Sequence, residues 1–267
     1  MLYHKTYFKS DLHEWVVFIH GAGGSSAVWY KQLKSFKDQF NVLLLDLRGH
    51  GKTAPIEKDQ RHYSFEMIAH DIIEIIDYLN IKKAHFVGVS LGTLIIRQLG
   101  DMIQDRMHSM ILVGAITRFN FKSRFWVGIG RVFKNVLPYM WLYKIFAFVI
   151  MPSKNHSEAR NLFINEAKKL CQKEFLRWFR LTGQLTSLFE KFENRIQIPV
   201  LFVMGDQDYL FLEPVKQITK NLKNTFLWIV EECGHVVNVE KADIFNDYVI
   251  QYLHGLRTQS EFALKAE

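Results

Sequence analysis

One serine in this chain lies where a nucleophile would be expected. Residues 86–93 read FVGVSLGT, so that Ser90 is flanked at a distance of two by Gly88 and Gly92. An apolar run from Ala84 to Val89 ends at the serine, and a second apolar run, Leu91 to Leu99, begins directly after it. This pattern predicts a strand, a sharp turn and a helix, with strained backbone angles at the serine that require small neighbours. The hydroxyl then stands clear of the sheet, above the positive end of the helix.

A serine hydroxyl needs partners, because it is a weak nucleophile at neutral pH until an adjacent base, itself held by a third group, activates it. Two later segments offer such groups. Residues 204–208 read MGDQD and contain the acid candidates Asp206 and Asp208, and residues 232–235 read ECGH and contain His235. Each segment follows a predicted strand, and groups at the carboxyl ends of parallel strands cluster at one edge of a sheet. The sequence therefore predicts that the serine, an aspartate and His235 converge in space.

The elements that position these groups alternate between short β-rich runs and helical stretches, which favours a mostly parallel sheet wrapped by helices. Strands are predicted at Leu2–Phe8 (an edge), Trp15–Ile19, Val42–Leu45, Ala84–Val89, Met110–Val113, Pro199–Met204 and Thr225–Val230. Helices are predicted from a cap at Ser25 or Ser26, from Ser64 through Leu79, from Leu91, at Pro214–Leu222 and at Ala242–Leu256, with a frayed tail over Arg257–Glu267.

The segment 116–195 differs in kind from the rest of the chain. It carries 15 Lys and Arg against 5 Asp and Glu, so all of the positive excess behind the chain's net charge of +7 lies in this segment. It also contains 16 of the 38 aromatic residues. It also predicts several helices and no strands. We therefore expect a core formed by residues 1–115 and 196–267, and a helical cap formed by residues 116–195.

Five motifs together give the chain a recognisable family resemblance. They are HGAGG at 20–24, DLRGHG at 46–51, the Ser90 turn, GDQD at 205–208 and GH at 234–235. The chain resembles α/β-hydrolase-fold proteins, in the branch of capped serine esterases, peroxidase-like enzymes and carbon–carbon bond hydrolases, over nearly its whole length. The resemblance implies a mostly parallel central sheet flanked by helices with a helical cap insertion, and the chain order serine, acid, histidine.

The same resemblance implies roles for individual residues. It assigns the carboxylate to Asp208 rather than Asp206, which ties its loop, and completes a catalytic triad with Ser90 and His235. The backbone N–H groups of Leu91 and Ala22 are expected to form the oxyanion hole.

Other residues receive supporting roles. We expect His20 and His50 to brace the loops in which they lie. In the cap, rich in Phe, Trp and Met, we take Trp126, Trp141 and Phe146 as substrate-binding candidates.

Composition excludes several other classes of protein. Two cysteines, Cys171 and Cys233, form no disulfide framework or metal motif; we expect reduced thiols in a cytoplasmic protein, with Cys233 as a small buried filler. No metal or organic cofactor is required. The HGAGG stretch lacks the spacing of a nucleotide-phosphate loop, and no nucleic-acid-binding motif accompanies the basic charge.

The leading functional hypothesis is a serine hydrolase that cleaves carboxylic esters with hydrophobic acyl or aromatic groups through an acyl-enzyme. A carbon–carbon bond hydrolase, lyase or perhydrolase with the same triad is an alternative, because this fold hosts all of them. A ligand-sensing protein with slow turnover is another. The basic, aromatic cap has two interpretations: an ordinary solvated face, or peripheral contact with an anionic membrane that delivers lipid-like esters.

Overall fold

The computed structural model describes residues 1–53, 63–185, 188–189 and 196–264, with the backbone alone for 259–264. Within these residues one seven-stranded sheet has the order β1-β3-β2-β4-β5-β6-β7. Its strands are β1 His4–Tyr7, β2 Trp15–Ile19, β3 Asn41–Leu45, β4 Ala84–Val89, β5 Met107–Val113, β6 Val200–Gly205 and β7 Thr225–Val230. Strand β1 pairs antiparallel with β3 at one edge, and the other pairs are parallel.

Helices lie between the strands and beyond the last one. They are α1 Tyr30–Lys37, α2 Phe65–Tyr78, α3 Leu91–Ile103, α4 Phe121–Phe133, α5 Tyr139–Ile150, α6 Ser157–Ala167, α7 Gln172–Arg180, α8 Leu212–Thr219, α9 Val237–Glu240 and α10 Ala242–Leu264. Two predicted start signals are present: the Ser25 hydroxyl caps a 3-10 turn, Ser26–Trp29, that leads into α1, and the Ser64 hydroxyl accepts from the Met67 N–H at the start of α2. The chain thus has the α/β-hydrolase fold that its motifs predict.

The core consists of two apolar layers, one on each face of the sheet. The central strands β3, β4 and β6 are buried along their whole length, as continuous apolar runs between two helical layers should be. One layer includes the inward face of α2 with Ile68 and Ile72, and the other includes Trp29, Phe36 and Phe245. The sheet is therefore a rigid base for the loops at the carboxyl ends of its strands.

Helices α4 to α7 fill the described part of the sequence between β5 and β6, as the break in the strand pattern predicts. The predicted far boundary of the cap, at residues 195 and 196, falls at the edge of the described residues, since Arg195 lies outside them. The division into core and cap stays a prediction.

The end of the chain departs from expectation. The predicted tail begins at Arg257, but α10 continues through Leu264, because Gln, Glu, Ala and Leu there have favourable helix propensities and no proline interrupts them. Residues 265–267 lie outside the described residues. Across the described chain, no helix is both long and apolar enough to cross a membrane.

Candidate active site

Ser90 occupies the strained turn that its sequence context predicts. Its backbone angles are φ 54° and ψ −116°, a combination rare for a residue with a side chain. Ser90 caps the N-terminus of α3, and its N–H donates to the Val113 carbonyl at 2.9 Å, which ties the turn to β5. The turn is thus held by its neighbour strand and not by the serine side chain.

Both flanking positions require glycine, because neighbouring backbone atoms approach them closely. A Cβ atom on Gly92 would lie 2.4 Å from the Ile19 carbonyl oxygen, and one on Gly88 would lie 2.8 Å from the Gly92 carbonyl carbon. Both distances are well below van der Waals contact. The Gly-x-Ser-x-Gly spacing therefore follows from the packing of β4 and α3 against β2.

His235 and Asp208 form a buried hydrogen-bonded pair. The His235 Nδ1 lies 2.7 Å from Asp208 Oδ2, and both side chains are at most 3% exposed. Because a carboxylate only accepts, Nδ1 carries a proton, and in the neutral form of the ring Nε2 keeps its lone pair. Nε2 is buried with no hydrogen-bond partner among the described residues, and His235 lines the same cavity as Ser90. The unpartnered Nε2 is the acceptor that a serine proton would require; in unliganded enzymes such a contact is often loose and tightens with substrate.

The loops that carry this pair are held by further polar contacts. The other Asp208 oxygen accepts from the Phe211 N–H at 3.2 Å. Asp206 accepts from the Cys233 N–H at 3.0 Å, which is the loop-tying role expected of it. Glu240 accepts from the Gly234 N–H at 2.8 Å, and burial raises the pKa of its carboxyl. The two residues that precede His235 are thus held by carboxylates from two different parts of the chain.

Two buried histidines brace the glycine-rich loop after β2. His20 Nε2 accepts from the Leu47 N–H at 2.9 Å, so its Nδ1 donates to the Gly21 carbonyl at 2.7 Å. His50 Nε2 accepts from the Gly23 N–H at 2.9 Å, and its Nδ1 faces the Arg48 carbonyl. Burial lowers the pKa of both rings, that of His50 to about 3 with His20 as a second cause. Both are therefore neutral supports, and His50 also reaches the cavity wall.

The expected oxyanion donors, Ala22 and Leu91, both line the cavity beside Ser90. The Leu91 N–H belongs to the first turn of α3, where no intrahelical acceptor exists. The Gly21 carbonyl accepts from the His20 ring and from the Gly24 N–H at 3.1 Å, and in a trans peptide the Ala22 N–H points the opposite way. The backbone conformation itself thus fixes the direction of both N–H groups.

Tyr143 on α5 is a site residue that the sequence did not reveal. Its hydroxyl donates to the Ala22 carbonyl at 2.7 Å, and a Cβ on Gly23 would meet its ring at 2.6 Å. Burial and the nearby charge of Glu166 raise the pKa of this phenol, which keeps the proton on the donor. No local pattern marks Tyr143 among the ten tyrosines of the chain.

The cavity over Ser90 has a volume of about 260 Å³ and a predominantly apolar wall. Besides the site residues already described, one part of the wall consists of Phe65 on α2, Leu94 on α3 and Ile116 after β5, and a second part comes from the segment 121–185. The residues from that second part are Val127, Tyr143, Phe146, Ala147, Ile150, Met151, Phe163, Leu170, Phe175, Trp178, Phe179, Leu181, Thr182 and Leu185. Such a wall favours an apolar ligand with few polar groups.

Of the three aromatic candidates, only Phe146 belongs to this wall. Trp141 is 66% exposed, because it lies about 200° around α5 from the cavity residue Tyr143. Trp126 precedes the cavity residue Val127, so its side chain points about 100° away from it around α4. Its ring lies 5.6 Å, centroid to centroid, from that of Phe125. Trp126 and Trp141 therefore do not belong to the wall of this cavity, and their role in substrate binding stays a prediction.

Two further observations concern metal binding and thiol chemistry. The described residues contain no cluster of three or more His, Cys, Asp or Glu that could hold a metal ion. Cys233 is fully buried, and burial with nearby Glu240 raises the pKa of its thiol, so it is the inert filler expected.

Comparison with known proteins agrees with this fold. Residues 14–140 match the family model described as alpha/beta hydrolase fold. A putative carbamate hydrolase, RutD, of Agrobacterium fabrum is 26% identical over 256 residues, which cover 89% of this chain and 92% of that protein. The 3-oxoadipate enol-lactonase 1 of Acinetobacter baylyi is 33% identical over 115 residues, but the match spans only 43% of this chain and 40% of the relative.

Among solved structures, the enol-lactonase from Burkholderia xenovorans LB400 superposes with a TM-score of 0.79 at 19% identity. The superposition covers 95% of this chain and 96% of that one. At such low identity the likeness concerns the fold.

Proposed function

Since this chain belongs to the α/β-hydrolase superfamily, we propose that it is a serine hydrolase that cleaves carboxylic esters with apolar acyl groups. The observation that carries the proposal is the His235–Asp208 pair, whose Nε2 has no hydrogen-bond partner among the described residues and shares one cavity with Ser90. A lactone is a cyclic ester, so the partial match to the 3-oxoadipate enol-lactonase 1 supports cleavage at an acyl carbon.

The chemistry follows from these positions. His235 Nε2 takes the proton of the Ser90 hydroxyl as the oxygen attacks the ester carbonyl carbon. The carbonyl electrons move onto oxygen, and the Ala22 and Leu91 N–H groups stabilise the anion. The imidazolium, held by Asp208, then protonates the departing alkoxide, leaving an acyl-enzyme. Water attacks this ester with the same base and releases the carboxylic acid.

The apolar wall supports the choice of acyl group. Each buried methylene contributes about 0.8 kcal/mol, so kcat/KM should rise about fourfold per methylene until the cavity is filled. A cytoplasmic location is part of the proposal and rests on the sparse use of cysteine.

A p-nitrophenyl ester series from acetate to decanoate, measured in steady state, tests the proposal. We expect kcat/KM to increase with acyl length and then to fall, and the Ser90→Ala variant to lose turnover by at least about 10³-fold. Phe146→Ala should change the acyl length that gives the highest kcat/KM. Trp141→Ala should leave that length unchanged, because Trp141 lies on the other side of α5. A purified, folded protein that hydrolyses no ester but cleaves a vinylogous diketone would contradict ester specificity.

A further inference from the structure

Two helices of the cavity wall each carry exposed apolar residues that the proposed reaction does not use. On α4 and the turn after it, Phe121, Phe125, Val132 and Val136 are between 56% and 85% exposed. Successive helical residues turn by about 100°, so Phe121, Phe125 and Val132 lie within about 40° of one another around α4. They form one apolar stripe on the surface of the molecule.

Helix α5 repeats this arrangement. Trp141 and Ile145 are 66% and 40% exposed. They lie about 160–200° around the helix from the cavity residue Tyr143. Helix α5 thus has one face in the cavity wall and the opposite face at the surface. We call the stripe on α4, Val136, Trp141 and Ile145 together the outer face.

The charged residues of α4 and α5 have a single sign. Lys122, Arg124 and Arg131 are exposed on the flanks of the α4 stripe, and Lys144 is exposed next to Ile145. No aspartate or glutamate occurs in the sequence between Asp105 and Glu158. An apolar stripe with basic flanks is the pattern of a helix that lies in a membrane interface.

We propose that the outer face docks on the surface of an anionic lipid bilayer. The apolar stripe would enter the boundary between headgroups and acyl chains, and the flanking cations would contact the anionic headgroups. A second copy of this chain fits the face less well, because two such surfaces would bring only positive charges together. Docking would also place the acyl cavity directly behind the helices that face the lipid. The substrates would then be membrane-borne esters, an inference that rests on the proposed function.

The test is sedimentation with vesicles of neutral phosphatidylcholine, with and without one third phosphatidylglycerol, at 50 and 500 mM salt. The full-length Ser90→Ala protein serves as the parent, so that lipid turnover does not enter and the outcome is independent of the proposed reaction. We expect binding to the anionic vesicles that weakens at least about tenfold at high salt, and little binding to neutral ones.

Matched variants locate the surface. Arg124→Glu with Arg131→Glu, and separately Phe121→Ser with Phe125→Ser, should each weaken binding to the anionic vesicles about tenfold or more. The controls make the same changes at exposed positions elsewhere: Lys220→Glu with Lys223→Glu, and Phe8→Ser with Leu12→Ser. Far-UV circular dichroism verifies folding of each variant.

Several outcomes would overturn the proposal. The protein could bind neither the anionic nor the neutral vesicles, or the control variants could lose as much vesicle binding as the test variants. Sedimentation velocity could also reveal a dimer that the combined Phe121→Ser and Phe125→Ser substitutions dissociate.

Discussion

At the scale of single residues, the site depends on positions where only one kind of side chain fits. Ser90 sits at φ 54°, and Gly92 lies so close to β2 that a Cβ would approach the Ile19 carbonyl oxygen to 2.4 Å. The sequence predicted this turn because glycine spacing and an abrupt change of pattern are local signals. It did not predict Tyr143, whose contact with Ala22 depends on how α5 crosses the loop.

The close approach at Gly92 gives a prediction for stability. Gly92→Ala should lower the free energy of unfolding by about 1–3 kcal/mol, because the strand or the helix must shift to admit the methyl group. Gly128→Ala is the matched control, since a Cβ there meets nothing within 4 Å. On helix α4 it should raise stability by up to about 1 kcal/mol. Urea denaturation of both variants measures the difference, and equal effects would refute the packing argument.

At the scale of secondary-structure elements, the helices between β5 and β6 are held to the sheet loops by buried polar contacts. The Ser25 hydroxyl donates to Glu166 on α6 at 2.5 Å. Glu174 on α7 accepts from Arg177 at 2.6 Å and from the Tyr63 hydroxyl at 2.7 Å. Neither Glu174 contact was predicted from the sequence, because the burial of Glu174 depends on the loop at Gly49, against which it packs.

Two glutamates of these helices allow a buried contact to be compared with an exposed one. Glu174→Ala should destabilise the protein by about 3–5 kcal/mol, because it removes a buried carboxylate that pairs with Arg177 and accepts from the Tyr63 hydroxyl. Glu158 pairs with Lys31 at 2.6 Å but is 62% exposed, so Glu158→Ala should cost about 1 kcal/mol or less. Thermal or urea unfolding of the two variants checks the contrast, and a mild effect at Glu174 would show that α7 is anchored mainly by apolar packing.

At the scale of the whole molecule, the hydrophobic pattern of the sequence predicted the strands of the sheet and the helices between them. It did not predict which face of each helix above the sheet lines the cavity. Strand positions such as Trp15–Ile19 and Thr225–Val230 followed from continuous apolar runs. Helix α5 is apolar around most of its circumference, so its sequence could not tell the cavity residue Phe146 from the surface residue Trp141. That choice depends on long-range packing, which no local period encodes.

The convergence of three distant side chains is the central claim, and a fluorophosphonate probe tests it most directly. The probe forms a covalent adduct only with a serine whose neighbours activate it, and peptide mass mapping then identifies the residue. We predict a single adduct on Ser90 in the wild-type protein, its absence in Ser90→Ala, and labelling slowed at least about 10³-fold in His235→Ala. A folded wild-type protein left unlabelled at Ser90, or labelled equally fast without His235, would contradict the account.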